Sequence, residues 1–445
     1  MKLNGRLFLQ VANFLRVLMF IFLSLYVLNT VGNLEAVQHW VGGRRYLNVL
    51  WIVMALYLLV SRFDMDRAFF VRQFRLLAPI GAVCVFLYIY HDRSCDLGFL
   101  KYAVLLVIAA SVVRRLGWLD RNVFFRVNSV ACLAIFAVAL YQIIGLHRLV
   151  PDGDVNQNIF APQAMIIGGI SVFAWLYDEV DKKERLLHIV CGVLALWVAL
   201  RTSCRTAYVS EMVLAVLFCG LAYRKYRWPL PWLLLGLAAV AAVMVAVVFC
   251  SPGVTESKFG RITAEVADFI DLKSGKTTGS SIGLRLAMWQ AALTEIIPKH
   301  FWLGMGEVSN VDFVSLFPHT KIDKNFLPTL QHFHNEGISI FVTGGLLLFV
   351  SANGLLYRLF QRACSEPAML CLLVGTMAFG MTEVTWLHKS CFLMLTSVWL
   401  LYECASSKSS STEFKTEIRK DALVVSTMAW KGERGLQAND LSNRS

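Results

Sequence analysis

Long apolar runs separated by short polar stretches organise most of this chain. A helix needs roughly 20 apolar residues to cross a bilayer. Runs near that length fall at 13–31, 46–61, 76–91, 98–113, 127–145, 159–177, 186–200, 206–223, 228–250, 337–357, 367–386 and 390–404, which predicts twelve spans. The alternation stops for one long segment, 251–336, between the ninth and tenth runs. From about 405 the sequence turns polar, opening with Ser406-Ser407-Lys408-Ser409-Ser410-Ser411. The pattern therefore predicts an all-α polytopic integral membrane protein. It has a nine-span region over 1–250, a loop over 251–336, three spans over 337–404 and a tail over 405–445. No internal repeat with a period of 20–50 residues interrupts this reading.

Composition removes the alternatives. Apolar residues make up 57% of the chain and charged residues 16%, against roughly 25% charged in soluble domains. With a mean hydropathy of +0.59, intrinsic disorder is excluded. Eleven Cys in 445 residues, most inside apolar runs, exclude a secreted disulfide scaffold. The net charge of +12 suggests nucleic acid only until the charges are placed. Loops after even-numbered spans hold sixteen Lys and Arg, while short loops after odd-numbered spans hold seven. The positive-inside rule then puts both termini in the cytoplasm and the long loop outside. The basic excess lies on the inward-facing segments, so no nucleic-acid partner is needed. Arg16 in the first run, with no small-residue cleavage site, predicts a retained anchor.

The chemistry-bearing residues lie on the outward side. In the long loop, Phe259, Ile262, Val266, Phe269 and Ile270 recur at helical spacing, predicting an interfacial amphipathic helix. A second helix is expected from Leu284 to Ile297, stopped by Pro298, with Leu286, Trp289, Leu293 and Ile297 toward protein or lipid. A glycine-bearing turn, Leu303-Gly304-Met305-Gly306, follows, and the loop closes with Gln331-His332-Phe333-His334-Asn335-Glu336-Gly337. A separate outer turn reads Arg201-Thr202-Ser203-Cys204-Arg205-Thr206-Ala207. Arginines at such a boundary either snorkel to lipid phosphates or grip a phosphate ligand, and both readings stay open for this turn alone. Together, two separate arginines and a His-Asn pair on one face suit a specific reaction. Arg205 and Arg285 would offset the charge of a pyrophosphate leaving group. A histidine would serve as general base for an attacking sugar hydroxyl. Nucleotide sugars are absent outside the cytoplasm, which points to a lipid-linked donor.

Other residues carry plainer readings. His300, His319, His332 and His334 are irregularly spaced and lack a Cys or carboxylate cluster, which argues against zinc. Asp152-x-Asp154 beside Pro151 and Gly153 reads as a turn. No metal and no cofactor are expected. Glu211 lies inside the eighth span, with Arg205 or Arg201 as a candidate partner. Cys95, Cys204 and Cys250 near the oxidising face leave a disulfide and free thiols equally open.

These motifs, in this order, resemble the bacterial O-antigen ligase superfamily, which also holds O-antigen polymerases and protein O-oligosaccharyltransferases. The resemblance is carried by Asn156-x-Asn158-x-Phe160-Ala161, Arg205-Thr206, Arg285-x-x-x-Trp289, Pro298, Gly304-x-Gly306 and His334-Asn335, and covers roughly 150–360. Cys204 stands where the family commonly has serine. The resemblance implies a GT-C-like fold in the bacterial inner membrane and a metal-independent, inverting glycosyl transfer at its periplasmic face. The implied donor is a glycan on undecaprenyl pyrophosphate. The implied acceptor is the lipid A core oligosaccharide in a ligase, or a second glycan in a polymerase. Arg205, Arg285 and His334 would be catalytic, and Asn335, Arg201, His332 and Trp289 would bind substrate. A flippase is the alternative from another class. It predicts related halves and a polar midplane path, whereas the polar candidates here gather on one face.

Overall fold

The computed structural model describes residues 10–18, 52–58, 61, 65–92, 98–116, 119–147, 151, 157–202, 204–249, 281–307, 333–384 and 391–406, apart from 16 and 393. The first two predicted spans are covered only in part. The amphipathic helix over 259–270, Asn156, His319, His332, Cys95, Cys250 and the tail from 407 lie outside the described residues.

The described chain is helical in the order α1 (Arg67–Tyr90), α2 (Gly98–Leu116), α3 (Arg121–Leu140), α4 (Gln157–Phe173), α5 (Lys182–Arg201), α6 (Arg205–Tyr226), α7 (Leu230–Phe249), α8 (Ser281–Ala291), α9 (Glu336–Ala363) and α10 (Pro367–Gly380). A further helical stretch covers 394–406. Among the described residues, five helices are long and apolar enough to cross a membrane: Arg67–Tyr90, Arg121–Gly145, Asn158–Leu176, Thr206–Tyr226 and Glu336–Ala363. The protein is thus an all-α, multi-pass membrane protein. Several helices start where the sequence supplies a cap. Asp66, Asp120, Asp181 and Asn335 accept from the backbone N–H of Phe69, Val123, Lys183 and Ile338.

The main core lies where α3, α4, α5, α6, α10 and the 394–406 stretch meet. α4 is the central helix, with 83% of its apolar window buried inside the protein. Apolar packing alone selects poorly between helices in lipid, so small residues and interhelical hydrogen bonds set the register. α4 and α5 touch at Gly168 and Gly192, where a Cβ on Gly168 would stand 2.8 Å from the Gly192 carbonyl oxygen. Asn128 of α3 donates to Ile167 O (2.8 Å) and Ser171 Oγ (2.7 Å) of α4. Ser129 Oγ meets His188 Nδ1 of α5 at 2.7 Å.

α9 is broken. Gly344 (φ −132°, ψ 15°) and Gly345 (φ 61°, ψ −160°) interrupt its helical backbone. In a membrane such a break leaves polar groups that must find protein partners. The turn after α8 supplies them. Met305 N and Gly306 N donate to Val342 O (2.8 Å) and Thr343 O (3.0 Å), while Leu346 N and Leu347 N donate to Phe301 O (2.8 Å) and Trp302 O (3.3 Å). His91, at the end of α1, adds a bond to Leu303 O at 2.9 Å. The approach is backbone to backbone: a Cβ on Gly304 would lie 2.5 Å from Gly344 N, and one on Gly345 would lie 2.4 Å from Leu303 N. The glycine turn and the glycine pair in the tenth apolar run are therefore two halves of one interlock.

Candidate functional site

Hydrogen bonds gather several helix ends at one end of the bundle. They are the starts of α4, α6 and α9, the end of α5 and the turn after α10. α8 packs beside them through Ala287, Met288, Ala291, Ala292 and Ile296, which bury against Phe333 and Val342. Trp289 and Ile297 pack half-buried against this cluster and Met288 is fully buried, while Leu293 is exposed, open to lipid.

His334 is fixed from both sides. It adopts a left-handed backbone, φ 50°, a conformation that costs a non-glycine residue free energy and persists only where neighbours enforce it. On one side, Phe333 is fully buried. Its N–H donates to Ser339 Oγ at 3.2 Å, and its carbonyl accepts from Trp289 Nε1 at 2.7 Å. On the other side, Asn335 caps α9 through Oδ1 (2.9 Å from Ile338 N) and donates through Nδ2 to Met381 O at 2.8 Å. Trp289 and Asn335, expected to bind substrate, thus hold the His334 segment.

The centre of the site is Glu383, which sequence reasoning missed. Its side chain is 4% exposed. His334 Nδ1 lies 3.0 Å from Oε2 and 3.1 Å from Oε1, Arg285 Nη2 donates to Oε1, and Asn158 Nδ2 donates to Oε1 at 3.2 Å. A carboxylate offers only lone pairs, so His334 Nδ1 must carry the proton of this contact. That tautomer places the ring's lone pair on Nε2. The carboxylate orients the imidazole and would stabilise it when protonated. Arg285 holds the carboxylate in turn, with its own side chain 18% exposed. Its Nε is buried with no hydrogen-bond partner among the described residues. Thr206 Oγ1 meets Thr382 Oγ1 at 2.7 Å, tying the start of α6 to the residue before Glu383.

Arg205 is the first residue of α6, one position before that threonine. Arg201 closes α5 in the same turn, its guanidinium 6.0 Å from the Trp197 ring centroid. The turn is knit by Thr202 Oγ1, which donates to Ala199 O (2.6 Å) and accepts from Cys204 N (3.3 Å). Cys204 occupies the cap position of α6 without a side-chain cap bond. It is a buried free thiol. Burial pushes it up to about 11, and the nearby Glu383 carboxylate adds to the rise. Glu211 is buried with Oε1 unbonded among the described residues.

The site thus joins a histidine, a carboxylate behind it that fixes its tautomer, and the guanidinium of Arg285 from another segment. That set suits deprotonation of a hydroxyl beside a stabilised anion. Residues 190–352 match the O-Antigen ligase family. The matched stretch runs from α5 into α9, taking in Arg201, Arg205, Arg285, Trp289, His334 and Asn335 and stopping short of Glu383. No curated protein matches the chain.

Proposed function

We propose that this chain, whose residues 190–352 match the O-Antigen ligase family, is an O-antigen ligase. It transfers a glycan from undecaprenyl pyrophosphate to the lipid A core oligosaccharide, at the periplasmic face of the inner membrane. The observation that carries this reading is the contact of His334 Nδ1 with Glu383 at 3.0 Å beside Arg285. His334 Nε2 takes the proton of the acceptor hydroxyl as its oxygen attacks the anomeric carbon. The bond from that carbon to the pyrophosphate oxygen breaks with inversion. The guanidinium groups of Arg285 and Arg205 offset the charge that develops on the departing pyrophosphate. No metal takes part in this scheme. Arg201 and His332 are assigned to substrate binding, and Asn335 and Trp289 set the position of His334.

A gene deletion tests the reading against its nearest neighbours. Loss of a ligase leaves bare lipid A core at the cell surface while long glycans persist on the lipid carrier. Core bearing a single repeat unit would mark an O-antigen polymerase instead. An unchanged lipopolysaccharide profile would remove both and favour another acceptor, such as protein.

A further inference from the structure

The end of the bundle opposite His334 carries a cavity of about 810 Å³ lined by five arginines: Arg67, Arg72 and Arg75 from α1, and Arg358 and Arg362 from α9. We propose that this cavity binds the phosphate headgroup of an anionic phospholipid, separately from the glycan-transfer site. α9 begins two residues after His334 and ends one residue after Arg362. The two sites therefore share a helix without sharing a surface.

Ion pairs balance several arginines and lysines at this end: Arg121 pairs with Glu179 and Glu366, Arg126 with Glu184, Lys225 with Asp178 and Arg114 with Asp66. The cavity is lined by five arginines and no carboxylate among the described residues; Glu403, beside it, reaches Arg72 at 3.0 Å and also accepts from Gln73 at 3.3 Å. Arg362 is half-buried, and its Nη1 is buried with no hydrogen-bond partner among the described residues. Five guanidinium groups around one concavity repel one another, and a buried N–H without an acceptor adds to the cost. A phosphodiester removes both penalties, because its oxygens match the guanidinium fork.

A lipid suits the site better than a soluble phosphate because α1, which carries three of the five arginines, is long and apolar enough to cross a membrane. α1 also borders a groove of about 650 Å³ shared with α2, lined by Phe74, Leu77, Gly81, Val85, Phe86 and Leu100 among others. The same helix thus offers cations at its start and an apolar channel along its length. That is the division of a lipid into headgroup and chain, at the depth where basic pockets between membrane helices bind acidic headgroups.

The test uses the full chain in neutral detergent, titrated with phosphatidylglycerol or phosphatidylcholine of matched chains, with binding read by native mass spectrometry. Phosphatidylglycerol is expected to bind about tenfold more tightly. Arg358→Gln/Arg362→Gln is expected to lower its affinity by about tenfold, with phosphatidylcholine unchanged. Arg67→Gln/Arg75→Gln, at two exposed positions, is expected to act in the same direction and guards against a folding defect at Arg362. Equal binding of the two lipids, or full phosphatidylglycerol binding by both double variants, would overturn the proposal. Displacement of phosphatidylglycerol by equimolar glycerol 3-phosphate would overturn it in favour of a soluble anion.

Discussion

The His334–Glu383–Arg285 contact depends on which proton sits where, so single-atom changes test it. Glu383→Gln keeps the side chain's size while removing the charge, and its amide can offer Nδ1 a donor instead of an acceptor. The imidazole is then free to take the other tautomer, and a protonated ring loses its counter-charge. Glycan transfer is expected to fall by about 100- to 10,000-fold, with membrane levels matching wild type by immunoblot. Glu383→Asp should recover part of the rate. His334→Ala and Arg285→Ala are each expected to abolish transfer at normal abundance. Full activity of Glu383→Gln would separate the carboxylate from the reaction. His334 and Arg285 were legible in the sequence from their types and order. Glu383 was not recognised, although an acid inside the apolar run 367–386 is itself a signal. Nothing in the order of residues pairs it with partners 49 and 98 positions away, and the run's hydropathy hides the end of α10 at Gly380.

Among elements, helix positions were the readable part and their joints were not. Apolar runs at 127–145, 159–177 and 337–357 became α3 with its π turn, α4 with its 3-10 turn, and α9. Caps at Asp120, Asp181 and Asn335 set the starts earlier than the runs did. Nothing in the tenth apolar run marks the need for glycine at 344 and 345, because that need arises from a turn 40 residues upstream. The interlock predicts a sharp contrast between two substitutions in α9. Gly345→Ala sets a Cβ 2.4 Å from Leu303 N at a φ of 61°, and should cost at least about 2–3 kcal/mol. Gly354→Ala meets nothing within 4 Å and should leave stability unchanged or slightly raised. Thermal unfolding in detergent should show Tm lowered by several degrees for the first variant alone. Equal shifts would mean that the α9 break does not depend on the turn.

On the scale of the whole molecule, the two ends of the bundle differ in chemistry, and that difference fixes a direction across the membrane. One end gathers His334, Glu383, Arg285 and the backbone interlock. The other carries α1's first arginines, the Arg121–Glu366 pair and the turn around Cys364. The count of Lys and Arg in short loops predicts a cytoplasmic second end, and the proposed transfer requires this, since its lipid-linked donor is outside. Two exposed positions report on opposite ends. Cys364 is an exposed free thiol between α9 and α10, and Lys299 is 68% exposed in the turn after α8. A membrane-impermeant maleimide applied to intact spheroplasts should label Lys299→Cys promptly and spare Cys364 until the membrane is permeabilised, as read by mass spectrometry of each peptide. The opposite order would turn the site toward the cytoplasm, away from a periplasmic acceptor, and the ligase reading would fail even if His334 and Glu383 proved essential. The charge pattern predicts this orientation without any knowledge of which helices touch. The neighbours of His334 emerged only from packing, because helix contacts in lipid rest on small residues and scattered hydrogen bonds that leave little periodic trace in a chain this apolar.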